Sequence, residues 1–326
     1  MAVKDALLTL LVNNRERDLS GEEAAAALHV TRAAVWKAVR ALEEEGYAID
    51  ASTNRGYRLR PDCDVLCAAG IEKFLRPEAG ALSVETFRTV TSTNLLLRDR
   101  AAAGSPEGTV IAAGSQTAGR GRLGRSFFSP SDSGIYLSIL LRPQLPADRA
   151  ALITTAAAVA VCEAIESAAG KSPAIKWVND VFLDGRKVCG ILTEAAFDME
   201  NGRLGYAIVG IGVNVYAPEG GFPEELAGIA GAVSARREGE LRCRLAAEIL
   251  NRFLPRYRAL PGGDTPEAYR KRCFVTGRRV TVHGGGGEYP ADVLDVDDEC
   301  HLVIRTADGE LRTLSSGEIS IRLQNN

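Results

Sequence analysis

The chain reads as an α+β protein with more than one domain. Three observations predict this. At 326 residues it exceeds the usual size of a single domain. Its first sixty residues pattern as three short helices followed by a strand, a turn and a second strand. Its centre interleaves strand signals with helices, including a long alanine-rich run from Ala151 to Ala169.

Composition narrows the class. Apolar residues make up 46% and charged residues 25%, as in ordinary soluble globular proteins. A net charge of -3 argues against a protein coated in nucleic acid, but leaves room for one small DNA-reading module. The seven cysteines are scattered, with no C-x-x-C pair. Reduced thiols are expected, rather than a zinc site or a disulfide framework. The apolar run Leu7 to Val12 is too short to span a bilayer and no small-residue cleavage site follows it, so a cytoplasmic protein with no membrane partner is expected.

The first helix covers residues 3 to 12. Ser20, with Glu23 three residues on, forms a capping-box pattern and opens a second helix that ends near Leu28. Thr31 caps a third, running to about Glu45 and stopped by Gly46. The short connection makes a helix-turn-helix. At about 100° per residue, Val35, Ala38, Val39 and Leu42 share one face of the third helix. Ala33, Lys37 and Arg40 lie opposite, flanked by Arg32 and Trp36. A small residue beside cations suits close approach to a major groove. Tyr47 to Ile49 and Gly56 to Leu59 then read as a wing around Thr53-Asn54-Arg55-Gly56. Thr31, Arg32, Ala33, Trp36, Lys37, Arg40 and Arg55 are the candidate DNA contacts. Residues 1 to 60 hold nine basic and nine acidic residues, so net charge adds no support. The plain alternative is a three-helix packing module with a solvated outer face.

Arg60-Pro61-Asp62 ends this module, and a helical stretch from Asp64 to about Leu75 follows. Leu82 to Phe87 and Thr109 to Ala113 read as strands, with Ser92-Thr93-Asn94 opening a helix between them. Then comes Gly119-Arg120-Gly121-Arg122-Leu123-Gly124-Arg125, which formally matches the dinucleotide fingerprint. That fingerprint requires a helix to begin within its glycines. Here Pro130 and the strand-like "GIYLSILLR" follow, so the dinucleotide reading fails on context. Arginines are permanent cations with forked donors, and glycines let backbone approach a ligand. The stretch suits an anion that orders the loop; a basic surface turn is the alternative.

Downstream, Lys176-Trp177-Val178-Asn179-Asp180 closes a strand, and Asp184-Gly185-Arg186 turns into "KVCGILTE" with Lys187 at its start. The strand Ile208 to Val215 is broken by Gly210 and Gly212 and carries Asn214. Glycine within a strand marks close approach by a ligand or another backbone.

In this order, after a winged helix, GRGRLGR, KWVND, GRKVCGILTE and VGIGVNV strongly resemble the bifunctional biotin–protein ligase/repressor family, over essentially the whole chain. The resemblance implies a winged helix-turn-helix over residues 1–61, and a ligase core of mixed β-sheet and α-helix, class II synthetase-like, over 62–272. A C-terminal SH3-like β-barrel over 273–326 completes it, fitting the alternating "RRVTVHGGGG", "EYPADVLDVDDECHLVIRT" and "SSGEISIRL". It implies two half-reactions: biotin and ATP give biotinyl-5′-adenylate, and a lysine of a biotin carboxyl carrier protein domain then takes the biotin.

By position in the family motifs, Lys187, Arg120 and Arg122 are the implied catalytic residues. Ser92, Thr93, Asn94, Gln116, Gly119, Arg120, Gly121, Arg122, Lys187, Gly190, Gly210 and Gly212 would bind biotin. Arg122, Arg125, Phe127, Trp177, Asn179, Lys187 and Asn214 would bind ATP or the adenylate, and Asp180 would help hold Mg²⁺. ATP, Mg²⁺ and biotin enter as substrates or activator, with no tightly bound metal. Operator DNA of biotin genes and a second copy of the chain, in an adenylate-bound homodimer, are the other implied partners. Val178 departs from the proline usual in KWPND, and Phe127 stands where tryptophan is common. A biotin-sensing regulator without catalysis and a lipoate-type ligase are the competing readings; the retained Lys187, Arg120 and Arg122 oppose the first, and the winged helix and GRGR loop oppose the second.

Overall fold

The computed structural model describes residues 3–52, 55–198, 203–237, 239–284 and 287–320. The chain opens with α1 (Val3–Asn13), α2 (Gly21–Ala27) and α3 (Arg32–Glu44). Ser20 Oγ accepts from the Glu23 amide at 3.0 Å, and Thr31 Oγ1 accepts from the Ala34 amide at 3.2 Å, so both expected caps form. The buried face of α3 is Val35, Ala38, Val39 and Leu42, as its periodicity requires. Strands β1 (Ile49–Ser52) and β2 (Gly56–Leu59) pair antiparallel, Ile49 opposite Leu59. The wing strand therefore begins where the sequence reading ended it, and the expected turn residues Thr53 and Asn54 lie outside the described residues.

The helix expected from Asp64 to Leu75 shrinks to α4 (Ala68–Glu72), because residues 63–67 are extended and used as a linker. Next come β3 (Ser83–Phe87), α5 (Thr93–Ala102), β4 (Thr109–Ala113), β5 (Gly134–Leu141), α6 (Ala151–Ala169), β6 (Ala174–Lys176), β7 (Asp180–Leu183), β8 (Arg186–Asp198) and β9 (Arg203–Asn214). These strands form one seven-stranded sheet in the order β3-β4-β5-β9-β8-β7-β6. Only the β3–β4 pair is parallel. The β7–β8 turn uses Asp184 and Gly185 at φ 50° and 75°, the positive-φ pair of a tight hairpin.

Alternation sorts the sheet into two faces. On one, Ile111, Leu140 and Ile208 pack with Leu97 and Ala101 of α5. The other is covered by α6 and by α7 (Leu241–Arg258), with α8 (Thr265–Arg272) behind. Helix α6 is long and apolar enough to cross a membrane, but most of it is buried inside the fold, where it packs against α7.

Strands β10 (Arg279–Gly284), β11 (Gly287–Val296), β12 (Leu302–Thr306), β13 (Leu311–Leu314) and β14 (Glu318–Ser320) form a second sheet, ordered β13-β12-β11-β10-β14 and antiparallel throughout. Among the described residues no pairing joins β13 to β14. The expected barrel is thus an open five-stranded sheet over those residues.

A buried charged group ties the linker to the core. Asp64 Oδ1 accepts from the backbone amide of Arg242 at 3.1 Å, and Asp64 Oδ2 accepts from the Tyr216 hydroxyl at 2.5 Å. The Arg242 guanidinium donates back to the Asp64 carbonyl, with Nε at 2.9 Å. Burial pushes the Asp64 carboxyl above its usual range, while the Tyr216 bond and the Arg242 charge oppose that push. A buried carboxylate stripped of its cation is costly. Arg242→Ala is therefore expected to destabilise the protein by about 3–5 kcal/mol in denaturant titration. A loss below about 1 kcal/mol, the scale of an exposed pair, would contradict this placement.

Candidate active site

The floor of the site is the α5 face of the central sheet, beyond the end of that helix. Register places Tyr136, Gly212 and Gly190 in one row across β5, β9 and β8, and Ser138, Gly210 and Leu192 in the next. The glycines are steric necessities. A Cβ on Gly210 would meet Asn94 Oδ1 at 2.2 Å, and one on Gly212 would meet the Phe127 ring at 2.5 Å. The Phe127 ring also lies 3.1 Å from a Cβ built on Gly190 and edge-on to Tyr136, with ring centres 6.4 Å apart. The close approach expected at these strand glycines is thus made by two side chains that line the same cavity.

Ser92, Thr93 and Asn94 do not cap α5 through Ser92, whose side chain makes no capping bond. The side chains of Thr93 and Asn94 belong to a polar chain instead. Gln116 Oε1 accepts from the Thr93 amide at 2.9 Å, and Gln116 Nε2 donates to Ser129 Oγ at 3.0 Å. The Ser138 hydroxyl lies 2.7 Å from Thr93 Oγ1 and 2.6 Å from Asn94 Oδ1. Asn94 Nδ2 donates to Glu194 Oε2 at 2.8 Å. All of these groups are buried or half-buried, so mutual bonding offsets a desolvation cost that isolated polar groups would carry.

The glycine-arginine stretch folds as a small hairpin over this floor. The Phe127 amide donates to the Gly119 carbonyl at 2.9 Å, and the Gly121 amide to the Arg125 carbonyl at 2.7 Å. Leu123 and Gly124 adopt positive φ at its tip. A strand, β5, follows, and no helix begins within the glycines; the turn Arg122–Gly124 is a single 3₁₀ turn. Each arginine has a protein acceptor. Arg120 pairs with Glu194 at 3.0 Å. Arg122 donates to Asn179 Oδ1 at 2.9 Å and to the Gly317 carbonyl at 2.8 Å. Arg125 grips Glu318 through two bonds of 2.7 and 2.9 Å, and this pairing holds the Glu318 carboxyl below its usual range against a desolvation that raises it.

The far wall comes from the β6–β7–β8 segment. The Trp177–Val178 peptide is cis, and the Trp177 indole donates to the Cys300 carbonyl at 3.0 Å. Asn179 Nδ2 donates to the Ile191 carbonyl at 2.9 Å, which aims Asn179 Oδ1 at Arg122. Lys187 Nζ pairs with Asp180 at 2.7 Å. Burial lowers the pKa of Lys176, with Asp180 opposing that shift.

The cavity brings together most of the expected residues: Ser92, Thr93, Asn94, Gln116, Arg120, Gly121, Arg122, Arg125, Phe127, Trp177, Asn179, Asp180, Lys187, Gly190, Gly210 and Gly212. Two stand apart. Gly119 lies beneath the hairpin, where a Cβ would meet the Phe127 carbonyl at 2.4 Å. Asn214 donates to the Gly231 carbonyl at 3.1 Å, and the Gly231 amide donates to the Lys187 carbonyl at 2.8 Å, so Asn214 holds the segment beside Lys187. Tyr136, Lys176 and Glu318 line the cavity without having been singled out. Only the register of β5 on β9 reveals Tyr136; Lys176 sat inside KWVND; Glu318 comes from a distant domain. Asp180 is the one expected metal contact, and no cluster of three metal-binding side chains occurs among the described residues.

On the winged helix, Thr31, Arg32, Ala33, Trp36, Lys37, Arg40 and Arg55 are all exposed. Arg40 stacks over Trp36 at 5.5 Å. These residues form one solvent-facing surface of α3, with Arg55 carried by the wing.

Comparison with known proteins agrees with this arrangement. Residues 86–214 match the biotin/lipoate A/B protein ligase family, residues 4–58 an HTH domain, and residues 275–322 the biotin protein ligase C terminal domain. The bifunctional ligase/repressor BirA of Bacillus spizizenii is 36% identical over 93% of this chain and 94% of its own. The biotin--[acetyl-CoA-carboxylase] ligase of Mycobacterium tuberculosis is 31% identical over 80% of this chain and 97% of its own. The structure of biotin protein ligase from Aquifex aeolicus in complex with biotin and ATP superimposes with a TM-score of 0.61 at 26% identity, covering 74% of this chain and 99% of that one. A relative this similar over nearly its whole length, with the three matched segments in the same order, places the chain: it belongs to the biotin/lipoate A/B protein ligase family, among the bifunctional ligase/repressors.

Proposed function

We propose that this protein is an ATP-dependent biotin–protein ligase that also represses biotin synthesis genes in response to biotin. The observation that carries the reading is the convergence of Arg120, Arg122, Arg125 and Lys187 on one glycine-floored cavity. Activating a carboxylate with ATP brings two anions together, and fixed cations are what such a site needs.

In the first half-reaction a carboxylate oxygen of biotin attacks the α-phosphorus of ATP, and pyrophosphate leaves with the electrons of the broken P–O bond. The product is biotinyl-5′-adenylate. Lys187, at the head of β8, contacts both the carboxylate and the α-phosphate, so its charge counts most as charge shifts between them. Arg120 and Arg122 close over the same groups and Arg125 faces the nucleotide phosphates. In the two bonds it makes, Arg122 meets neutral oxygens, so an arriving anion competes there with dipoles only. In the second half-reaction a carrier lysine amine attacks the acyl carbon, AMP leaves, and the amine loses a proton. Serines, threonine, Asn94 and Gln116 of the polar chain hold the biotin ring; Phe127, Trp177 and Asn179 face the nucleotide; and Asn214 supports Lys187 through Gly231.

Mg²⁺ fits as an ion carried in by ATP rather than one caged by protein, since the two carboxylates lining the cavity, Asp180 and Glu318, are already paired with Lys187 and Arg125, each at 2.7 Å. When bound it would neutralise phosphate charge. The reading divides the chain at residues 61 and 272, and the three matched segments fall within those units. A cytoplasmic location, an SH3-like closure of the last unit and a homodimer formed with the adenylate bound belong to the same proposal. A homodimer would present two α3 surfaces to two half-sites.

With Mg-ATP, biotin and an apo carrier domain, the purified protein is expected to label one lysine. Tight biotin binding with no labelling would reduce it to a sensor. Lys187→Ala is expected to cut adenylate synthesis by about 10²–10³-fold, while biotin binding measured by calorimetry falls far less; equal losses in both would remove its assigned role. For the repressor half, gel shifts on a palindromic operator should tighten when biotin and ATP are both added, and binding that ignores them would refute the switch.

A further inference from the structure

The Glu194 carboxylate has two partners from opposite sides of the site. Oε1 pairs with Arg120 of the hairpin at 3.0 Å, and Oε2 accepts from Asn94 of α5 at 2.8 Å. Its strand, β8, begins next to Lys187, and alternation puts Glu194 on the same sheet face as Gly190 and Leu192. The side chain is about two-thirds shielded, at 31% exposure, and Arg120 is 42% exposed. A carboxylate so near an anion-binding site is unfavourable unless it has another task. Its geometry supplies one, since each oxygen fixes a different element.

We infer that Glu194 is a positioning residue that latches the glycine-arginine hairpin, through Arg120, onto the sheet floor, and through Asn94 sets the orientation of the polar chain. Three features support the latch. The hairpin tip is otherwise exposed, with Leu123 at 75%. Of the hairpin's other two arginines, Arg125 pairs with Glu318, and Arg122 bonds Gly317 and, in the KWVND turn, Asn179, so Arg120 is the arginine that ties the hairpin to β8. Finally, Asn94 is fixed on all sides: Oδ1 takes the Ser138 hydroxyl at 2.6 Å, its body abuts Gly210, and Nδ2 ends on Glu194. Glu194 thus connects loop closure with the shape of the pocket beneath.

The latch rests on the ligase reading only for its consequence, which is retention of the reactive adenylate. Its existence can be tested without ligand or activity. Trypsin attacks after arginine, and the hairpin offers Arg120, Arg122 and Arg125. In the full-length ligand-free protein, Glu194→Gln keeps an oxygen for Asn94 but loses the charge that holds Arg120. Mapped by mass spectrometry, tryptic cleavage within residues 120–125 should then quicken about fivefold, the scale of one partly exposed ion pair, with cleavage elsewhere unchanged. Arg120→Gln should loosen the remaining sites of the hairpin to the same degree, and the double variant should add nothing further. Unchanged cleavage in Glu194→Gln, or additive effects in the double variant, would overturn the latch. With biotin and Mg-ATP present, biotinylation of added serum albumin by escaped adenylate should rise in Glu194→Gln by more than its KM for biotin does. A rise in KM alone would make Glu194 a pocket wall rather than a latch. If the wild type forms no adenylate, the ligase reading fails, while the cleavage result still decides the latch.

Discussion

The constraint around which this structure is arranged is the crowding of basic side chains on one cavity, which Arg120, Arg122, Arg125, Lys187 and Lys176 all line. Arg120, Arg122, Arg125 and Lys187 repel one another, and the repulsion grows as water is excluded. The fold answers with an acceptor for each: Glu194, the Asn179 and Gly317 oxygens, Glu318 and Asp180. These acceptors come from the central sheet, the KWVND turn and the C-terminal sheet. The cationic cluster therefore draws three parts of the chain together.

The second requirement is room. The strands of a sheet ordinarily raise side chains from both faces, which would fill the cavity. Gly190, Gly210 and Gly212 lower that floor, and Asn94 and Phe127 settle into the space. The hydrogen-bonded run from Gln116 through Thr93, Ser138 and Asn94 to Glu194 fixes the direction of each donor along this side of the cavity. Near the winged helix, the buried Asp64 anchors the linker to Arg242 and to Tyr216, and Tyr216 lies two residues beyond Asn214 in sequence. The end of β9 is thus close to both the site and the linker that joins the core to the winged helix.

Much of this was legible in the residues. Periodicity gave the buried face of α3, and with it the solvent-facing side, because a helix exposes whatever its core does not claim. Local context was enough to discard the dinucleotide fingerprint, since a strand rather than a helix follows the glycines. Family motifs gathered nearly every cavity residue. The shortfalls share a cause, namely long-range register and domain contact. Tyr136 and Glu194 face the site because of how β5 and β8 align on β9, which no local window contains. Glu318 arrives from nearly two hundred residues away to hold Arg125. The helix expected from Asp64 begins only at Ala68, since Cys63, Asp64, Val65 and Cys67 are weak helix formers and Asp64 is committed to Arg242. Helix α5 does begin at Ser92-Thr93-Asn94, but without a side-chain cap from Ser92.

The central claim is that the clustered cations make a mixed anhydride from a carboxylate and ATP. Exchange of labelled pyrophosphate into ATP, run with no carrier protein present, isolates that step. The account predicts exchange that appears only when biotin is added and that collapses when Lys187 is replaced by alanine. Exchange that proceeds without biotin, or none at all from a protein that binds both substrates, would contradict it.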